Sequence, residues 1–373
     1  MHAWRMWRRG RHPVHSLPFE AAVPNELAAE WAALPAPARR SRLRHALQRD
    51  LALMLAGQSG CCVDRAATMP HKLLWIFNWT TIGDALMDLA ARASIPDGVE
   101  VDLCIAAPLA PLFAASGAFG RVFSDLDEGA GDYDFVLVHE LNTHTIRAKG
   151  RLWPRAGFAP VLNCSMGERF ARTSYCDARV RHVLGLAAAE PPTPRLDLGE
   201  PSPRTAAFEV AVALGARDPR RRYPHWHALL PALAAKWPLH APPLRFTLLG
   251  NDNAASDAAS IAPAFVAARC RNLVGQTGLL DAAYVLRDAD AFLGTDGGLM
   301  HVAAALGRPG VGLFAGIDPA YRLANASPMR GLAAGAMAEH ERAAIEAAFT
   351  AACAPAVAER VGTNLTAGVS PLP

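Results

Sequence analysis

The chain has 373 residues, 51% of them hydrophobic and 19% charged, with a formal net charge of +3. That length exceeds what one core usually serves, so two domains are expected, and the composition excludes a disordered chain. The small net charge argues against nucleic acid as a partner, and no apolar run approaches the length of a membrane span.

The chain opens Met1-His-Ala-Trp-Arg-Met-Trp-Arg-Arg-Gly10, positive but without a following apolar core. A signal peptide is therefore not expected, and the pair Arg8-Arg9 does not supply one. The seven cysteines are scattered, with only Cys61 and Cys62 adjacent. Reduced thiols in a cytoplasmic protein are expected. Residues 1–70 form an extension rich in Arg, Pro and Trp, with one helix expected from about Pro35 to Gly57. Arg39, Arg40, Arg42 and Arg44 crowd its start, and Leu43, Leu47, Leu51 and Met54 follow at helical spacing. Such a helix either rests on an anionic membrane surface or packs its apolar face on the main body, and the second reading is preferred.

From Lys72 strands and helices alternate. Leu73–Phe77, Val101–Ile105 and Phe135–Val138 read as buried strands, and Asp84–Arg92 as the helix after the first. This is a βαβ series on a parallel sheet, assigned to residues 71–190. A proline-rich break follows, with a linker at residues 191–204 and a hinge expected within it. The second series occupies residues 205–373. Its strands are expected at 209–214, 246–249 and 272–275, and its helices at 226–236, 254–269, 279–287 and 339–353.

Three constellations carry chemistry. Asn78-Trp-Thr-Thr-Ile-Gly83-Asp84 follows the first strand: Gly83 suits a tight turn, and Asp84 would sit at a helix N-terminus as either an N-cap or a functional carboxylate. Arg220-Arg-Arg222 falls in the loop after the strand at 209–214, where it would clamp a diphosphate or form a solvated charge run. Gly294-Thr-Asp-Gly-Gly298 runs from an apolar strand into a small-residue helix carrying His301. A glycine loop opening a helix presents free N–H groups to a phosphate, while Asp296 and His301 could equally be capping and packed residues. The histidine pairs lack zinc spacing, so no metal is expected.

The stretch Leu293-Gly-Thr-Asp-Gly-Gly-Leu-Met-His301, its small-residue helix, and Arg308-Pro-Gly-Val-Gly-Leu-Phe314 resemble the signature of the heptosyltransferases, glycosyltransferase family 9. Ile82-Gly83-Asp84 matches the family's Gly-Asp turn, and Arg221-Arg-Tyr-Pro is similar to its Lys-x-Trp-Pro element. The resemblance runs in order from about Lys72 to the C-terminus.

It implies an α/β fold of GT-B type, two Rossmann-like domains with parallel sheets facing across a cleft. It further implies a metal-independent inverting transferase that moves a heptose from ADP-heptose to a lipopolysaccharide-type or other glycan acceptor, with no cofactor. The implied catalytic residue is Asp84. Arg221, Arg222, Thr295, Asp296, Gly297, Gly298 and His301 would bind the donor, and Thr81 and Gly83 would lie on the acceptor side. The protein would be cytoplasmic, with peripheral membrane contact through the basic N-terminal region as a further candidate.

The chain departs from the pattern at three places. Gly297 stands where the family has threonine, Arg221 where it has lysine, and Phe314-Ala-Gly-Ile-Asp-Pro319 replaces Phe-Gly-Pro-Thr-Asp-Pro. An epimerase or hydrolase on the same scaffold, or a degenerate binding homologue, are the competing readings.

Overall fold

In the computed structural model, the described residues are 33–129, 131–162, 170–324 and 326–367. The N-terminal residues 1–32, and with them the reading of Met1–Gly10, lie outside this set. The chain divides into two compact units, Met1–Pro192 and Thr193–Pro373.

The first unit holds a five-stranded parallel sheet in the order β3-β2-β1-β4-β5. Its strands are β1 (Lys72–Phe77), β2 (Glu100–Ile105), β3 (Val122–Phe123), β4 (Phe135–Glu140) and β5 (Gly157–Leu162). Leu73, Leu74, Trp75, Val136, Leu137 and Val138 are wholly buried, as a sheet covered by helices on both faces requires. Because β1 pairs with β2 on one side and β4 on the other, the chain reverses its direction of winding between β1 and β4. The loops leaving the carboxyl ends of those two strands diverge there and leave a crevice.

The second unit repeats the plan with six parallel strands in the order β11-β10-β9-β6-β7-β8. These are β6 (Phe208–Ala213), β7 (Leu244–Leu249), β8 (Cys270–Asn272), β9 (Ala291–Thr295), β10 (Gly310–Ala315) and β11 (Met329–Ala334). Here the reversal falls between β6 and β9, which pair directly through Val210–Ala213 and Ala291–Gly294. The core joins Phe208, Trp226, Phe246, Leu293, Leu313 and Phe349.

Several expectations are corrected. The expected single helix at 254–269 is two, Ala255–Ser260 and Pro263–Arg269. Pro263 supplies no N–H to continue the first and forces extended backbone on Ala262 before it. The strand expected at 272–275 is β8, ending at Asn272, because Gly275 turns at φ +71°. The closing helix starts later and runs much further, Arg342–Ala367, straight through Pro355. Ile345, Phe349, Cys353 and Val357 lie buried at four-residue spacing, and this packing outweighs the proline.

The helix expected at about 35–57 is present as Ala36–Leu55, but its orientation is the reverse of the preferred reading. Leu47, Leu51 and Met54 are 45%, 44% and 50% exposed, whereas Ala52 and Leu53 enter the core with Ile146, Trp153 and Phe158. The side chains of Arg39, Arg42 and Leu43 fall outside the described set. The proline-rich stretch is fastened at its downstream end. The Leu196 N–H donates to Ala305 O at 2.9 Å, Arg287 Nη1 to Leu198 O at 3.0 Å, and Ser202 Oγ to Asp288 Oδ2 at 2.7 Å.

Candidate functional site

In the second unit the site forms where β6 and β9 end side by side. β9 is buried throughout, and the Asp296 N–H extends its ladder by one more bond, to Leu313 O at 2.8 Å. Gly297 then caps the helix Gly298–Ala305. The first N–H groups of that helix have no intrahelical acceptor, and the dipole adds positive potential at the same point. Gly297 sits at φ −170°, extended backbone open to any residue.

Three arginines follow β6, and the structure separates their roles. Arg220 folds back on Asp218, its Nη2 at 2.7 Å from Oδ2. Arg222 turns to the helix at 255–260, where Nη2 meets Ser256 Oγ at 2.8 Å and Asp257 Oδ1 at 3.0 Å. Arg221 reaches the glycine loop, with Nη1 at 3.2 Å from Asp296 Oδ2.

Asp296 is 4% exposed, and His301 Nε2 lies 3.6 Å from its Oδ1. Burial alone would raise the Asp296 carboxyl. His301, Arg221 and Arg322 outweigh it and hold the group below the usual carboxylate range. A buried anion cannot itself receive phosphate oxygens. Asp296 instead pairs with the Arg221 guanidinium, beside a helix N-terminus whose first N–H groups are open. Thr295 is buried at the end of β9.

In the first unit, Asn78 links the ends of β1 and β4. Its Nδ2 donates to Glu140 O at 2.8 Å, and its Oδ1 accepts from the Glu140 N–H at 3.1 Å. The helix after β1 starts at Ile82, with Thr81 as N-cap residue. Gly83 is therefore a helical residue in the first turn rather than a tight-turn glycine, and its φ is not positive. Asp84 stands third in the helix and accepts a hydrogen bond from Thr81 Oγ1.

The partners of Asp84 were not visible in the sequence. Arg172, 7% exposed, places Nη1 at 3.2 Å from Asp84 Oδ1. Its Nε and Nη2 each meet an Asp88 oxygen at 2.7 Å, and its guanidinium lies 4.5 Å from the Trp79 ring. Asp88 is wholly buried, with His139 Nε2 at 3.1 Å and Cys176 Sγ at 3.2 Å. Burial opposes charge on Asp88, but Arg172 and His139 prevail and its carboxyl lies below the ordinary range. Burial likewise opposes charge on Arg172, and Asp88 and Asp84 hold it more firmly protonated than usual. The spacing of Asp84 and Asp88, four apart on one helix face, was the one local signal for this cluster.

Residues 177–343 match the family model of glycosyltransferase family 9 (heptosyltransferase). A 52-residue stretch, 14% of this chain, is 46% identical to lipopolysaccharide heptosyltransferase 2 of Salmonella typhimurium and of Escherichia coli, and spans 15% of those proteins. Among solved structures, E. coli ADP-heptose lipopolysaccharide heptosyltransferase II aligns with a TM-score of 0.58 at 20% identity, over 76% of this chain and 99% of that one. A family 9 glycosyl transferase from Veillonella parvula aligns at 0.56 and 12% identity, over 74% and 88%. E. coli heptosyltransferase WaaC with ADP aligns at 0.53 and 18% identity, over 77% and 99%. These likenesses show a GT-B type fold of two parallel-sheet units. The stretch matched by the family model contains Arg221 and residues 295–301; Asp84 lies outside it.

Proposed function

Since the chain carries a glycosyltransferase family 9 domain over residues 177–343, we propose that it transfers a sugar from a nucleotide diphosphate donor to a hydroxyl of a glycan acceptor, with inversion. The observation that carries this reading is the Arg221–Asp296 pair set at 3.2 Å beside the N-terminus of the helix Gly298–Ala305. A guanidinium beside unpaired N–H groups at a sheet's carboxyl end suits an anionic ligand such as a diphosphate. The relatives named above point to heptose as the sugar, ADP as the nucleotide and a lipopolysaccharide-type acceptor.

In this reading Asp84 is the general base, and Thr81 lies on the acceptor side. The acceptor oxygen bonds to the anomeric carbon as its proton passes to the Asp84 carboxylate. The bond to the diphosphate breaks, and its electron pair leaves with the phosphate oxygen. Arg221 and the helix N-terminus meet the developing charge, so the chemistry calls for no metal ion.

The test is a thermal-shift screen of ADP-, UDP- and GDP-sugars, followed by turnover with and without acceptor. An ADP-sugar is expected to raise the melting temperature most, with nucleotide released only when acceptor is present. Losing a charged phosphate partner costs about 1.5–3 kcal/mol, so Arg221→Ala should weaken nucleotide affinity by at least tenfold. Arg222→Ala, which removes an arginine engaged with Asp257, should leave it near wild type. Equal affinity for Arg221→Ala and wild type would defeat the donor site. Isomerised sugar without acceptor would make the protein an epimerase, and binding without turnover a non-catalytic homologue.

A further inference from the structure

We infer that the outward face of the helix Ala36–Leu55 docks the protein on an anionic lipid surface. Along this helix Arg40, Arg44, Leu47, Leu51, Met54 and Leu55 follow one another at spacings of three and four residues, apart from the final step. They therefore form a single stripe. All six are exposed, Leu55 to 73%. The stripe is cationic in its first half and apolar in its second, and it contains no acidic residue. Arg40, Arg44, Leu47, Gln48 and Leu51 line one shallow groove along it.

The opposite face is occupied. Ala52 and Leu53 are in the first unit's core, the Gln58 N–H donates to Leu53 O at 2.8 Å, and Gln58 Oε1 accepts from the buried Lys149 Nζ at 2.6 Å. The helix is thus held to the body and cannot roll to hide the stripe.

Charge complementarity selects the partner. Residues 1–44 carry eight arginines against three glutamates, a net +5, while the whole chain is +3. The positive charge is concentrated at this end, and the remainder is slightly negative. Arginines beside apolar side chains match an anionic bilayer, which attracts the cations to its surface while the apolar groups enter the headgroup boundary. A second copy fits worse. Two-fold pairing of the stripe sets arginine against arginine or against leucine, and desolvates charge with no anion to meet it. No helix among the described residues is long and apolar enough to cross a membrane, so the contact is one of lying on the surface.

The experiment is flotation of the full chain with vesicles of phosphatidylcholine alone or mixed equally with phosphatidylglycerol. Binding is expected to the mixed vesicles and to weaken with added salt. Leu47→Asp with Leu51→Asp, and separately Arg40→Gln with Arg44→Gln, should each reduce it by roughly tenfold or more. The melting temperature confirms folding, and the arginine pair decides the matter if the leucine pair does not fold.

Failure of the wild type to bind, or unchanged binding by both pairs, overturns the proposal. So does a wild-type dimer that the leucine substitutions convert to monomer without any vesicle binding, which would assign the stripe to a second copy. Binding that appears only on deletion of residues 1–32 would assign it to that segment. None of these outcomes depends on which sugar the second unit holds.

Discussion

Arg172 is the residue on which the ion pairs beside Asp84 converge, since it spans Asp84 and Asp88 with one guanidinium. The two carboxylates differ in what they can do. Asp88 is wholly enclosed, while Asp84 keeps a 25% exposed side chain, as the general base of the proposed mechanism requires. Asp84→Asn should lower turnover by about 10²–10⁴-fold, the worth of a positioned base, with donor affinity intact. Asp84 is not the helix cap, so its loss should move the melting temperature little; its partly exposed ion pair contributes at most about 1 kcal/mol. Near-normal turnover in this variant would remove Asp84 from the mechanism. Asp88→Asn should behave oppositely. It leaves Arg172 buried with a weakened partner, and breaking a buried pair costs about 3–5 kcal/mol. Chemical denaturation should register that loss, and a stability equal to wild type would show that the pair is not structural.

At the scale of elements, the second site depends on how β9, its loop and the following helix pack against β10. Two glycines there have contrasting reasons. Gly310 opens β10 at φ +155°, and a Cβ would lie 1.9 Å from Phe292 O on the paired strand. Gly310→Ala must force the strands apart, and we expect a loss of about 3 kcal/mol, measured as a lowered denaturation midpoint. Gly297 has extended backbone, and the nearest atom to a Cβ is 3.7 Å away. Gly297→Thr should therefore fold as well as wild type, because threonine and glycine cap helices about equally. It also adds a hydroxyl at the proposed anion site, where one hydrogen bond is worth about 0.5–1.5 kcal/mol. A gain of roughly 2–10-fold in nucleotide affinity, read by calorimetry, is the expected result. A loss of affinity would mean that the phosphate does not approach Gly297.

For the molecule as a whole, the division falls at Pro192 and Thr193. Residues 196–202 are bonded to the second unit, and Ala187, Ala188, Ala189, Glu190 and Pro191 are exposed. The freedom first expected across residues 191–204 should therefore concentrate upstream. Elastase, which cuts after small residues, should cleave first after Ala187, Ala188 or Ala189 and leave two resistant fragments. First cuts within residues 196–202 would show that those bonds do not hold in solution.

What the sequence determined by itself is what neighbours in the chain decide. Apolar runs marked β1, β4, β6 and β9, because a strand buried on both faces must be apolar at every position. The glycine loop at residues 296–298 was legible because its N–H groups come from the backbone of consecutive residues. Tertiary structure decided the rest. Composition and spacing did not separate three adjacent arginines, although the family resemblance favoured Arg221 and Arg222; the pairing of β6 with β9 is what brings Arg221 to Asp296. Arg172 is more than eighty residues from Asp84 and Asp88, and their four-residue spacing did not point to it. The helix Ala36–Leu55 gave the opposite outcome to its pattern: Leu53 took the core position, and the regular stripe of Leu47, Leu51 and Met54 was left outside. Periodicity shows that a helix has an apolar face; which face meets the body depends on the shape of the surface that receives it.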